Sequence, residues 1–183
     1  MRPRLRKNPR STSEPNDPEA ARQYCLRLLS GRPRTHSELG EAMRRKGFEE
    51  EVVEQVLERY AEVGMIDDEV FARAWVSSRH RGRGLSKRAL AGELRRKGVE
   101  PDFIDAAVEA VSDEDEREAA LELARRRYRS LAGQPADAVM RKLVGMLARK
   151  GYGAGIAIPV VKQVLSEADS EAADLLDEEA HFD

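Results

Sequence analysis

The sequence predicts an all-α protein built as three tandem three-helix repeats, helix-turn-helix-like modules in an elongated, curved array. Composition is the first observation behind this. Charged residues make up 36% of the chain, hydrophobic residues 40% and aromatics 5%. That is well above the usual quarter for charge. A mixture rich in Ala, Arg, Glu and Leu suits helices with wide solvated faces better than a sheet buried on both sides.

The second observation is a recurring phrase. RRKGF at Arg44–Phe48, RRKGV at Arg95–Val99 and ARKGY at Ala148–Tyr152 place glycines at 47, 98 and 151, spaced by 51 and 53 residues. The third is the apolar pattern around it. Leu39 and Met43, Leu90 and Leu94, and Leu143 and Leu147 stand at identical offsets before those glycines. After them, Val52, Val53, Val56 and Leu57 match Phe103, Ile104, Ala107 and Val108. The set Val160, Val161, Val164 and Leu165 recurs four residues late, which makes Gly153–Ile156 an insertion. Units that repeat in this way stack on their neighbours into an extended body.

The elements follow in order. Residues 1–16 carry Arg2, Arg4, Arg6, Lys7 and Arg10 with almost nothing to bury, the composition of a disordered basic arm. The first repeat spans 17–64. Asp17-Pro18-Glu19 combines a capping carboxylate, a first-turn proline and an acid facing the helix dipole. Gly31 and Pro33 end that helix. Thr35-His36-Ser37-Glu38 reads as a capping box for the second, which Gly47 closes. A third, carrying Glu49, Glu50 and Glu51 in its first turn, runs to Gly64.

The second repeat spans 65–111. Asp67 caps a helix with Val70, Phe71, Ala74 and Trp75 on one face, and the Gly/Arg run His80–Gly84 is expected to end it. Ser86 caps the next helix, around Leu90 and Leu94. Glu100-Pro101-Asp102 opens a third, with Phe103, Ile104, Ala107 and Val108 inside. The third repeat spans 112–166. Ser112 with Asp115 leads into Ala119, Ala120, Leu123 and Ala124, then Pro135 opens a helix through Val139, Leu143, Met146 and Leu147. The last helix is placed from about Pro159. Residues 167–183 hold eight carboxylates and no Lys or Arg, an acidic segment expected as a mobile tail.

The lone Cys25 excludes an intramolecular disulfide and a cysteine-cluster metal site, and fits a reducing compartment as buried filler. No apolar run approaches the roughly 18 residues that span a bilayer, and the basic N-terminus lacks a signal-peptide core. A soluble, cytoplasmic, monomeric protein is the expectation.

Residues for catalysis are missing. His36, His80 and His181 stand apart, and no HExxH, GxxxxGK[ST] or GxSxG occurs, so the chain reads as neither an enzyme nor a cofactor or metal protein. Asp67-Asp68 reads as capping and dipole compensation, since adjacent residues on a helix do not face each other. Gly82 and Gly84 with Arg81 and Arg83 form at most a weak phosphate nest; a plain loop explains them equally well. Trp75 reads as core or inter-repeat packing.

Charge is more informative. From Arg73 to Lys97 nine basic residues face one acid, Glu93: Arg73, Arg79, Arg81, Arg83, Lys87, Arg88, Arg95, Arg96 and Lys97. The net charge of -2 conceals this segregation. A solvated helix face usually mixes signs, so a surface for a polyanion or an acidic protein is the sharper reading. Sequence-specific operator binding through third helices is disfavoured. Glu49, Glu50, Glu51, Glu54, Glu58 and Glu62 oppose only Arg59 there, and phosphates would repel such a helix.

Gly64-Met65-Ile66-Asp67-Asp68, Phe71-Ala72, Ser78-Arg79, Gly82-Arg83-Gly84 and Glu93-Leu94 to Lys97-Gly98 closely resemble the signature of the RecX regulatory proteins. The resemblance covers roughly Asp17 to Ser166. It implies three three-helix modules and a regulator of the RecA recombinase. Such a regulator binds the groove of the RecA–DNA filament and inhibits recombination and coprotease activity, without catalysis of its own. Some members also bind single- or double-stranded DNA directly. The basic arm, the acidic segment and the insertion Gly153–Ile156 fall outside the resemblance. A DNA-binding helical repeat, sequence-independent and acting without RecA, stands as the alternative.

Overall fold

The computed structural model describes residues 15–180, with side chains to residue 169. The expected basic arm therefore lies almost wholly outside the described residues. Among those described there are nine helices and no strand. They are α1 (Pro18–Gly31), α2 (His36–Lys46), α3 (Glu50–Glu62), α4 (Asp68–Arg83), α5 (Lys87–Arg96), α6 (Pro101–Glu109), α7 (Asp113–Tyr128), α8 (Ala136–Arg149) and α9 (Ala154–Ala180).

The ends form where capping chemistry requires them. The Asp17 carboxylate accepts from the amides of Glu19 and Ala20. Thr35 and Glu38 complete both halves of the capping box on α2. Ser112 accepts from the Asp115 amide at the start of α7. The three echoed glycines, Gly47, Gly98 and Gly151, all have positive φ, at 100°, 71° and 95°, a left-handed conformation that glycine adopts without the strain other residues incur.

Two compact units divide the chain. The first runs to Phe71 and includes Lys97–Val99. Its core gathers Ala21, Cys25, Leu39, Met43, Phe48, Val53, Leu57 and Ile66 from α1, α2, α3 and the turn that follows. Burial pushes the Cys25 thiol up to about 11, consistent with inert filler. The second unit comprises Ala72–Arg96 and Glu100 onward. Its largest core packs α7, α8 and α9 around Ala120, Leu121, Leu143, Leu147, Val160 and Val161, and α5 packs on α6 through Leu90, Leu94, Ile104 and Ala107.

One joint occurs twice. In the first unit, the Thr35 hydroxyl donates to the Lys97 carbonyl at 2.6 Å. The His36 amide, first in α2, donates to Asp68 Oδ1 at 2.9 Å. In the second unit, the Ser86 amide donates to the Lys150 carbonyl at 3.1 Å. The Lys87 amide, first in α5, donates to Glu116 Oε1 at 2.8 Å. Each time, a second-helix N-terminus receives an acid from the following first helix and rests on the Lys-Gly turn of the following repeat.

Several expectations need correction. Helix α4 does not stop at His80 but runs through Gly82 to Arg83, where Gly84 (φ 58°) ends it. An isolated helical glycine costs only about 1 kcal/mol, and Arg81 braces the turn by donating back to Ser77. The buried face of α4 is Phe71, Ala72 and Val76, while Val70 is 58% exposed and Ala74 is also exposed. Phe103 is likewise exposed at the edge of α6. The last helix does not wait until Pro159 but takes in most of the Gly153–Ile156 insertion. The amides of Ile156 and Ala157 both donate to the Gly153 carbonyl, so α9 opens at Ala154 and Pro159 falls inside it, in the second turn, where it forgoes the bond to the Gly155 carbonyl. The α9 backbone continues into the acidic segment as far as Ala180.

Candidate functional site

The basic residues read from the sequence come from α4, α5 and the residue after α5. The structure divides them. Lys97 belongs to the first unit; its ammonium donates to Glu38 Oε1 at 2.8 Å and lies 5.6 Å from the Phe71 ring centre. Burial pushes the Glu38 carboxyl up, but hydrogen bonds from Lys97 and the Thr35 amide, with the Lys97 charge, outweigh it and leave its pKa lowered. Lys97 is thus a bracing residue of the first joint.

The other eight belong to the second unit. Lys87 is tied to Asp113 at 2.6 Å, which holds that carboxyl below its ordinary value. Arg88 donates to the Gly151 carbonyl at 3.1 Å. Arg79 stacks over Trp75 with its guanidinium carbon 4.2 Å from the ring centre. The Trp75 indole donates to Glu93 Oε2 at 2.8 Å, so the one acid of the basic stretch ties α5 to α4. Trp75 is half-buried rather than core. Arg95 and Arg96 are exposed on the last turn of α5. Among the described residues, no carboxylate pairs with Arg79, Arg81, Arg83, Arg88, Arg95 or Arg96.

Arg73, Arg81 and Arg83 line a groove of about 910 Å³ between α4 and α7, closed below by the end of α6. Sequence reasoning did not assign its remaining polar groups: the imidazole of His80, the cations Arg126 and Lys150, and the acids Asp115, Glu118 and Glu122. His80 Nδ1 donates to the Leu85 carbonyl at 2.9 Å, and Lys150 Nζ donates to the Arg83 carbonyl at 2.7 Å. Hydrogen bonds from the Ser112 side chain and backbone hold the Asp115 pKa low. The i, i+4, i+8 spacing of Arg73, Ser77 and Arg81 was a signal available in the sequence for one wall of this groove. No group of His, Cys, Asp or Glu among the described residues could hold a metal ion, and no helix among them is long and apolar enough to cross a membrane.

Three-helix modules with echoed joints and an arginine-rich second module define a tandem helical-repeat protein. Family models for RecX match it in order: the first three-helix domain at 21–59, the second at 67–108 and the third at 113–160. The chain belongs to the RecX family of regulatory proteins. It is 52% identical over 165 residues to the Regulatory protein RecX of Streptomyces coelicolor, covering 90% of this chain and 88% of that one. With the Regulatory protein RecX of Thermobifida fusca it shares 48% identity over 167 residues, covering 91% and 90%. A crystal structure of RecX from Lactobacillus salivarius has the same fold (TM-score 0.72, 17% identity, 83% of this chain and 96% of that one). A second RecX crystal structure matches at TM-score 0.69 with 26% identity, over 81% of this chain and 73% of that one.

Proposed function

We propose that this chain regulates the RecA recombinase without catalysis of its own. It binds the RecA–DNA filament and inhibits recombinase and coprotease activity by capping the filament end, destabilising the filament or blocking its groove. The observation that carries this reading beyond family membership is the set of six arginines on α4 and α5 with no carboxylate partner among the described residues. Desolvating such groups costs least against an anionic surface, either acidic protein or DNA phosphate. The same arginines favour one rival, a DNA-binding module that ignores sequence and acts without RecA.

Adding the protein to RecA-coated single strands, while following ATP turnover and filament length, separates the two. Loss of turnover and shorter filaments at stoichiometric amounts support the regulator. Tight binding to bare DNA with no effect on the filament supports the rival. Replacing Arg79, Arg81 and Arg83 by Glu is expected to abolish inhibition.

A further inference from the structure

The groove between α4 and α7 sets a basic α4 rim against three acids of α7, with Arg126 at the far end of the α7 side and Lys150 also in the lining. Arg73, Arg81 and Arg83 stand along the α4 wall, and Asp115, Glu118 and Glu122 along the α7 wall. The three acids keep an i, i+3, i+7 spacing, so they form one stripe of that helix. Between the rims the floor is apolar: Val76, Ala107 and Val111 are buried and seal it, while Ala119 and Leu123 are half-buried and remain accessible. The α7 wall runs from Asp115 to Arg126, about 16 Å, or three helical turns, at 1.5 Å per residue.

We propose that this groove receives an amphipathic helix of a protein partner, with an apolar stripe flanked by an acidic edge and a basic edge. The length matches three turns, and the alanines of the floor let a helix axis approach to the usual 8–10 Å. The charge pattern decides the occupant. A nucleic-acid strand in the groove would lie along Asp115, Glu118 and Glu122 and be repelled, and a uniformly acidic peptide would meet the same wall. A helix with opposed edges satisfies both rims at once. Arg81 and Arg83 are thereby assigned to protein recognition, separately from Arg79, Arg88, Arg95 and Arg96. The groove alone carries this assignment, whether or not the recombinase is the partner.

The test uses the full chain and a side-chain-stapled synthetic helix of about three turns, with leucines at i, i+3 and i+7, glutamates along one edge and lysines along the other. Fluorescence anisotropy of the labelled helix is expected to show saturable binding. Arg81→Glu with Arg83→Glu, and separately Glu118→Lys with Glu122→Lys, are each expected to weaken it about tenfold. Circular dichroism checks that these surface variants keep their helix content. An edge-matched helix that does not bind, or rim variants that bind it unchanged, would overturn the proposal. So would an all-glutamate helix or a thymidine oligonucleotide that displaces the probe.

Discussion

Thr35 and Lys97 are joined by a 2.6 Å hydrogen bond from the threonine hydroxyl to the lysine carbonyl. Thr35 is fully buried there, and the same oxygen accepts from the Glu38 amide at 3.1 Å to cap α2. One side chain therefore starts a helix and fastens it to the turn after α5. Ser86 stands at the equivalent position of the next repeat and is also buried; its hydroxyl accepts from the Ala89 amide while its own amide holds the Lys150 carbonyl.

Thr35→Val keeps the shape of the side chain but removes its oxygen. The α2 cap is lost and the Lys97 carbonyl is left without that donor, for a combined cost of roughly 2–4 kcal/mol. Thr35→Ser should retain most of the stability. Chemical denaturation of the three proteins checks this, and equal midpoints for the Thr35→Val variant and wild type would mean that the joint contributes nothing.

The echoed glycines separate backbone strain from packing. A Cβ at Gly47 would meet nothing within 4 Å, so Gly47→Ala carries only the cost of positive φ, roughly 1–2 kcal/mol. A Cβ at Gly98 would lie 2.3 Å from Ser37 Oγ, and one at Gly151 would lie 2.4 Å from Ser86 Oγ and 2.6 Å from Ala89 Cβ. Gly98→Ala and Gly151→Ala are therefore expected to lower the melting temperature further than Gly47→Ala. A Gly151→Ala variant as stable as the Gly47→Ala variant would mean that the second joint is loose.

Caps and repeated glycines were legible in the sequence because each depends on a few adjacent residues. Asp17, Thr35 and Ser112 act on amides two or three positions away, a distance that sequence spacing measures directly. The α4 face was harder. Val70, Phe71, Ala72, Ala74, Trp75 and Val76 are all apolar, so a helical period fits more than one face, and tertiary packing selects Phe71, Ala72 and Val76. Glu116 was invisible for a different reason. A buried acid in a helix looks unfavourable until its acceptor role for the Lys87 amide, 29 residues away, is known. The basic stretch was legible as a set but not as two populations. Separating the Arg81 wall from the exposed Arg95 and Arg96 takes knowledge of which helix lies opposite α4.

Acid should weaken the α7–α9 contact. Arg125 holds Glu167 through two hydrogen bonds, at 2.8 and 3.0 Å, and Gln163 adds a third at 2.8 Å. These bonds bring the Glu167 carboxyl down to about 2 from its ordinary 4.5. Because the folded value is depressed, the contribution is complete above about pH 4.5 and is lost as pH falls toward 2. Both side chains are more than a third exposed, so the effect is small and falls further with salt. The stability difference between wild type and Arg125→Gln should be largest at neutral pH and vanish near pH 2. A constant difference across that range would assign Arg125 a packing role instead.

Arg96 and Lys97 are neighbours in sequence with opposite expected roles. Lys97 is committed to Glu38 and the Phe71 ring, whereas Arg96 is exposed with no carboxylate partner among the described residues. If DNA phosphate is contacted, Arg96→Ala should leave the melting temperature unchanged and reduce the slope of log K against log salt by about one. Lys97→Ala should do the reverse, lowering stability with little effect on the slope, because its charge is already compensated and its stem packs on an aromatic ring. Measuring binding to single-stranded DNA over a salt series, alongside thermal denaturation of both variants, distinguishes them. Equal slopes for wild type and Arg96→Ala would remove the α5 terminus from the recognition surface, leaving Arg79 and Arg88 to carry any phosphate contact.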